Sequence, residues 1–183
     1  MSLSQTFRQR ISKILKGSLR DLGLLLAIVV GIGLVQMFYF RGKDVPPSLF
    51  KEVYPALDGT SRTLMNNEHY SLVYVFAPWC GVCEMSVPNI NSIVDYVNIQ
   101  GLALSYEKQS DVQLFTEKND LRVPVILGQG KLEDTLNVGQ FPTYFILDHH
   151  GKIVLGWSGY TTTLGLLMRV WGLNMVNRLA ATF

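Results

Sequence analysis

Two cysteines, the only ones in this chain of 183 residues, lie three positions apart as Cys80 and Cys83 in the stretch VFAPWCGVCEMSVP. A strand is predicted just before them and a helix from about Cys83, so Cys80 falls at the N-terminal end of a helix. The unpaired amides and the dipole of that helix end favour a thiolate over a thiol. Because Cys83 lies one turn further along, its sulfur can attack a mixed disulfide that Cys80 has formed. The spacing therefore predicts a redox-active pair.

Two other uses of such a pair are a permanent disulfide and half of a metal site. A disulfide that closes so short a loop removes little chain entropy, so it would stabilise the fold only weakly. A structural zinc site would need two more ligands, and the histidines of the chain are His69, His149 and His150. The last two lie in a predicted hairpin turn and are expected to face water. We therefore predict no metal site and no soluble cofactor.

Strand and helix patterns alternate around the cysteines from about residue 51 to the end of the chain. A hairpin that turns at Asp58-Gly59 comes first, and a second hairpin turns around DHHG at 148–151, before a final helix capped by threonine. Between the hairpins the pattern predicts strands at 70–77, at 99–106 and in VPVILG, and helices at 83–98, at 110–120 and in LEDTLNVG. Such alternation implies a mostly parallel sheet, to which the late hairpin adds an antiparallel edge.

Two separate motifs resemble the thioredoxin superfamily. FAPWCGVCEMSVP is similar to its active site, with a strand, Trp-Cys-x-x-Cys and a proline five residues after the second cysteine. GQFPTYFILDHHGKI resembles its second signature, in which a residue precedes a cis-proline, here Pro142, and a hairpin follows. The extra strand–helix stretch and the hairpin in LDGTSRTL resemble the membrane-anchored TlpA/ResA/DsbE branch. GYTTTLGLLMRVWGLNM and the overall layout look most like the suppressor-for-copper-sensitivity protein D group.

The resemblance covers about residues 45–178 and implies an α/β thioredoxin fold, a mixed central sheet flanked by helices. It also implies that Cys80 is the exposed nucleophile and Cys83 the buried, resolving thiol. A cis-proline has no amide hydrogen, so the edge beside the sulfurs would stay open for an extended substrate. The residues expected to bind substrate or shape the site are Trp79, Gly81, Val82, Phe141 and Pro142.

The sequence departs from this family at two buried positions near the cysteines. Tyr74 stands where thioredoxin has a buried aspartate, six residues before the first cysteine. Ser86 stands where the TlpA branch has a glutamate, and Glu84 should point elsewhere on the helix. No general base for Cys83 is therefore evident, and Glu107 or water is the candidate.

A run of 19 residues without charge, Leu22 to Phe40, explains the positive mean hydropathy of +0.21. Its length matches the roughly 20 helical residues that cross a bilayer core. A cleaved signal peptide is the alternative, but the run exceeds the usual signal core and no A-x-A-like cleavage site follows. The run ends instead in aromatic residues and cations, as an interfacial belt does. We predict an uncleaved membrane anchor.

The charges beside this run predict its orientation. Residues 1–21 carry one acid and five basic side chains: Arg8, Arg10, Lys13, Lys16 and Arg20. A cationic flank stays in the cytoplasm, so residues 41–183 should be exported. The expected organisation is a cytoplasmic tail at 1–21, an anchor at 22–40, a linker at 41–50 and a thioredoxin-like domain at 51–183.

Together these features predict a single-pass inner-membrane thiol–disulfide oxidoreductase whose catalytic domain works in the periplasm or its equivalent. Its partners would be protein thiols and disulfides and another membrane or periplasmic dithiol protein, and the mildly acidic exported domain argues against nucleic acid. An oxidising compartment also explains the lack of further cysteines, which would mispair there. A copper-binding module is the alternative, because two thiolates can hold Cu(I). Copper-delivering proteins of this fold, however, use C-x-x-x-C spacing and a distal histidine.

Overall fold

The computed structural model describes residues 21–28, 31, 45–66 and 68–180. By its internal contacts the chain divides into two units, Met1–Tyr39 and Phe40–Phe183. In the first unit, residues 21–28 and 31 are helical and exposed. The predicted tail at 1–20 and most of the predicted anchor at 22–40 lie outside the described residues. Within the part that is described, no helix is both long and apolar enough to cross a membrane.

The second unit contains five helices and seven strands among its described residues. The helices are α1 (Ser48–Lys51), α2 (Gly81–Asn91), α3 (Gln109–Lys118), α4 (Lys131–Leu136) and α5 (Thr163–Ala180). The strands are β1 (Tyr54–Pro55), β2 (Ser61–Arg62), β3 (Ser71–Phe76), β4 (Asn98–Ala103), β5 (Val125–Leu127), β6 (Thr143–Leu147) and β7 (Ile153–Ser158). Helix α1 begins inside the stretch 41–50 that was predicted as a linker, and its Leu49 and Phe50 are buried.

The central sheet has five strands in the order β5-β4-β3-β6-β7. Strand β4 runs parallel to both β3 and β5, while β6 runs antiparallel to β3 and β7 antiparallel to β6. This confirms a mixed sheet with the late antiparallel hairpin at one edge, but the sheet is not mostly parallel as the alternation predicted, because two of its four strand pairings are antiparallel. Strands β4 and β5 and helices α3 and α4 lie between the two motifs, as the sequence predicted.

Helices cover both faces of this sheet. One apolar cluster packs side chains of α2, α3 and α5 against β3, and a second packs α1 and α4 against its other face. All six residues of β3 are buried as a result, as expected for a central strand that is covered on both sides. The site that follows β3 is therefore attached to a strand that is packed on both faces.

The first hairpin, β1–β2, lies against the β5 edge of the sheet. The Leu57 amide donates to the Val125 carbonyl oxygen at 2.8 Å. In the turn, Gly59 has φ +78°, and the Asp58 carboxylate accepts the Thr60 hydroxyl at 2.6 Å and the Thr60 amide at 3.0 Å. These bonds with Thr60, helped by Arg62, lower the pKa of Asp58 to about 2. The turn is thus stabilised by an ionised carboxylate.

Two predicted boundaries are wrong. The helix expected at 83–98 runs from Gly81 to Asn91, because Cys80 caps it and the chain then tightens into turns in which Ile93 and Tyr96 donate to carbonyls three residues back. The strand expected at 99–106 ends at Ala103. Two residues later, Ser105 has φ +53°, a left-handed conformation that no strand contains.

Candidate active site

Cys80 and Cys83 form a disulfide at the start of α2, with their Cα atoms 5.2 Å apart. Cys80 is the N-cap of the helix: its backbone is extended (φ −88°, ψ 105°), and its Sγ accepts the Cys83 amide at 3.1 Å. A sulfur that already accepts an N–H at a helix N-terminus is well placed to carry negative charge. The pair therefore lies where the strand–helix pattern predicted it.

The two sulfurs differ in their access to solvent. Cys80 retains 6% of its surface and Cys83 retains none. The resemblance implies that Cys80 is more exposed than Cys83, and the exposed fractions differ in that direction. The difference is small in this disulfide-bonded form. The dipeptide between the cysteines, Gly81 and Val82, is exposed on the first turn of α2. The Cys80 side of the pair is thus the side nearer to solvent.

Trp79 and Phe141 bring the two sequence motifs together in space. The Trp79 side chain is 68% exposed, and its ring meets that of Phe141 edge-on with centroids 5.7 Å apart. The bond between Phe141 and the buried Pro142 is cis, as expected, and the Pro142 carbonyl oxygen accepts the Gly159 amide at 2.8 Å. Phe141, two residues before β6, thus lies against Trp79, the residue that precedes Cys80.

Beneath the cysteines lies a pair of buried tyrosines on neighbouring strands. Tyr74 of β3 and Tyr144 of β6 are directly paired across the strands. The Tyr74 hydroxyl donates to the Cys83 carbonyl oxygen at 2.9 Å. Burial raises the pKa of Tyr74 above its usual range and that of Tyr144 to about 12, so both phenols stay neutral at physiological pH. Tyr74 can therefore hold Cys83 in place but cannot act as its base.

No described carboxylate hydrogen-bonds to either cysteine, which agrees with the missing base in the sequence. The buried Ser86 hydroxyl donates to the Val82 carbonyl oxygen at 2.8 Å. Glu84 points away and pairs with Lys118, its oxygens 2.9 and 3.1 Å from Nζ. Glu107 is exposed in the loop after β4. Proton exchange at Cys83 is thus left to water or to a group that approaches with the partner.

Sequence reasoning missed the role of Ser105. Its carbonyl oxygen accepts the Trp79 indole N–H at 2.8 Å, and its amide donates to the Glu133 carboxylate at 2.9 Å. The residue therefore ties Trp79 to helix α4 through a left-handed backbone. No local pattern marks it, because both partners are distant in the chain.

Among the described residues, no group of three or more His, Cys, Asp or Glu side chains is arranged to hold a metal ion. His149 and His150 are exposed in the turn between β6 and β7, with ring centroids 4.0 Å apart. They face water, as the sequence predicted.

Several known proteins are similar to this chain in sequence or in fold. Residues 49–155 match the model of the AhpC/TSA family. A thioredoxin-like protein of Haemophilus influenzae is 26% identical over 166 residues, which cover 88% of this chain and 96% of the relative. The thiol-disulfide oxidoreductase ResA of Bacillus cereus is 28% identical over 143 residues, 72% of this chain and 80% of that one.

A solved structure with a similar fold is the pneumococcal exposed lipoprotein thioredoxin Etrx1 of Streptococcus pneumoniae. Its TM-score is 0.58 at 21% identity, and the match covers 66% of this chain and 98% of that one. The likeness confirms the predicted thioredoxin fold.

Proposed function

We propose that Cys80 and Cys83 are the redox centre of this chain, which belongs to the AhpC/TSA family and is a thiol–disulfide oxidoreductase of the ResA/DsbE type. We further propose that it acts on protein substrates outside the cytoplasm while tethered to the membrane. The observation that carries the first proposal is the disulfide at the N-terminus of α2, with Cys80 as the N-cap.

The reaction in the reducing direction has two displacements. The Cys80 thiolate attacks one sulfur of the partner disulfide, and the first partner thiolate leaves. Cys83 then loses its proton to water and attacks the Cys80 Sγ. The second partner thiolate leaves and the Cys80–Cys83 disulfide closes, so two electrons have passed to the partner. Oxidation of a partner dithiol runs through the same steps in reverse.

The surrounding residues position these steps. The amide at the start of α2 stabilises the Cys80 thiolate, and the Tyr74 hydroxyl fixes the Cys83 carbonyl. The partner's extended segment would pair with the backbone at Phe141. Pro142 has no amide hydrogen to obstruct that pairing, and Trp79 forms the opposite wall.

The membrane tether rests on the sequence. The run Leu22 to Phe40 is long enough to cross a bilayer, and the cationic flank at 1–21 favours a cytoplasmic N-terminus. A closer relation to the suppressor-for-copper-sensitivity protein D group also stays a proposal, which the C-terminal stretch GYTTTLGLLMRVWGLNM supports.

The topology can be tested with a reporter that is active only in the cytoplasm, fused after Phe183. It should stay silent, and activity there would reverse the orientation.

A redox titration tests the proposed centre. The full chain in non-ionic detergent is equilibrated with glutathione or dithiothreitol buffers, and its free thiols are then trapped with an alkylating reagent. We expect one two-electron transition between about −270 mV, as in thioredoxin, and about −120 mV, as in DsbA. A potential below about −300 mV is typical of structural disulfides and would contradict the proposal.

A further inference from the structure

A groove beside the candidate site shares Trp79 with it, and the other residues of its lining take no part in the proposed chemistry. It encloses about 740 Å³, and we call it the Trp79 groove. Its lining includes Trp79, Ser105, Glu107, Asp111, Leu114 and Glu133. Because Trp79 directly precedes Cys80, the groove begins next to the Cys80 sulfur, where the mixed disulfide with a partner would form. A segment that flanks the partner's cysteine would therefore run into it.

Apolar side chains in the Trp79 groove lack a partner on one side. Trp79 is 68% exposed and Leu114, on α3, is 64% exposed, whereas the neighbouring Phe115 is buried in the core. Exposed indole and leucine side chains that line a concavity are typical of a surface that a protein segment covers.

Carboxylates outnumber cations in the Trp79 groove. Four carboxylates line it, and Lys118 is the one cation in its described lining. Since Lys118 pairs with Glu84, the carboxylates of Glu107, Asp111 and Glu133 have no ion-pair partner within that lining. Burial, and to a lesser extent the nearby charge of Glu133, raises the pKa of Tyr106, another lining residue.

The walls of the Trp79 groove are held in place before any partner arrives. Ser105 bonds Trp79 through its carbonyl oxygen and Glu133 through its amide. The Asp111 carboxylate accepts the Lys108 amide at 3.0 Å. These bonds orient the carboxylates through neutral amides and leave their negative charge intact. A preformed surface loses little entropy on binding.

We propose that the Trp79 groove docks the segment of a partner protein that flanks its reactive cysteine, and that this segment carries lysine or arginine together with an apolar side chain. The inference rests on the proposed function and names the class of substrate that it prefers. The apolar side chain lies against Trp79 and Leu114, while the cation faces Glu107, Asp111 and Glu133. Charge complementarity of this kind raises the association rate, so it affects kcat/KM and weakens as salt increases.

Two disulfide-bonded peptides test this specificity. They share one sequence, except that the positions flanking the cysteine are lysine in one and glutamate in the other. The reduced full chain in non-ionic detergent is assayed with both peptides and with bis(2-hydroxyethyl) disulfide, which is small and neutral. We expect kcat/KM to be about tenfold higher for the lysine peptide at low salt. That preference should fall at least threefold at about 0.5 M salt.

Two charge reversals, one inside the groove lining and one outside it, provide the matched comparison. Glu107→Lys reverses a carboxylate inside the Trp79 groove and should reduce the preference for the lysine peptide about fivefold or more. Glu117 lies on α3 outside the groove lining, where it accepts a bond from Gln113 at 2.8 Å. Glu117→Lys should leave the preference within about twofold of the wild-type value.

The outcomes separate the inference from the proposed function. Equal kcat/KM for the two peptides with the wild-type chain would overturn the docking proposal, and so would an equal loss of preference in the two variants. In either case, reduction of the small disulfide by the wild-type chain would still support the redox function. If the wild-type chain reduces none of the three disulfides, the proposed function fails first and the docking proposal with it.

Discussion

Tyr74 and Tyr144 offer a matched test of what holds the resolving cysteine in place. Both are fully buried, they face each other across neighbouring strands, and their ring centroids are 5.6 Å apart. Their hydroxyls differ. That of Tyr74 donates to Cys83 at 2.9 Å, whereas that of Tyr144 has no hydrogen-bond partner among the described residues. The nearby Ser86 hydroxyl partly offsets the rise in the pKa of Tyr144 that burial causes. Its hydrogen, however, is donated to the Val82 carbonyl oxygen and not to Tyr144.

The two hydroxyl deletions should therefore differ in their effect on stability: only Tyr74→Phe should be destabilising. Tyr74→Phe keeps the ring but removes a buried hydrogen bond, which lowers the free energy of unfolding by about 1–1.5 kcal/mol. Tyr144→Phe also keeps its ring, which stacks on Trp157 at 4.9 Å. It removes a buried polar group whose desolvation costs about 1–3 kcal/mol without a compensating bond. That variant should be neutral or more stable than wild type.

Equilibrium unfolding in urea measures the difference. The oxidised full chain in non-ionic detergent is followed by near-ultraviolet circular dichroism, which reports aromatic packing. With a slope of about 2 kcal/mol/M, the midpoints of the two variants should differ by about 0.5–1 M, with Tyr74→Phe the lower. Equal midpoints, or a lower midpoint for Tyr144→Phe, would refute the reasoning.

Two further predictions concern packing and charge. At Gly128 an added Cβ would lie 2.8 Å from Leu102 Cδ1, so Gly128→Ala should lower the free energy of unfolding in urea by about 1–3 kcal/mol. Gly139→Ala is the control, because a Cβ there would have nothing within 4 Å, and it should lower the free energy of unfolding much less. Because Thr60 lowers the pKa of Asp58 to about 2, the ionised carboxylate stabilises the fold above about pH 4, and this contribution is lost as the pH falls toward 2. The midpoint difference between wild type and Asp58→Asn should therefore shrink over that pH range, and a constant difference would contradict the assignment.

The parts of the fold that were predictable are those that neighbouring residues decide. The strand before Cys80 was evident because its residues are β-formers without charge, and the last hairpin because a turn separates two such runs. The cysteine pair was predictable for the same reason, since its spacing and its place at a helix start lie within one short stretch. The prediction extended helix α2 too far because Val94 and Val97 continue the apolar period of the helix, although both residues lie in the turns that follow it.

The features that escaped prediction depend on contacts between distant residues. Ser105 joins Trp79, 26 positions away, to Glu133, 28 positions away, and nothing near Ser105 in the sequence indicates either bond. The buried hydroxyl of Tyr144 is likewise invisible in sequence, because its isolation follows from how β6 packs beneath α2. The Trp79 groove combines residues from α2, α3, α4 and two loops, so its charge emerges only after folding.

The central claim is that Cys80 attacks the partner and Cys83 resolves the complex. The most direct measurement is the yield of covalent complexes that Cys83→Ala and Cys80→Ala each form with partner proteins, separated under non-reducing conditions. Cys83→Ala should accumulate mixed disulfides that a reductant releases, because attack still occurs and resolution does not. Cys80→Ala should trap little, since its remaining sulfur lies at a fully buried position. Equal trapping by the two variants, or greater trapping by Cys80→Ala, would contradict the assignment.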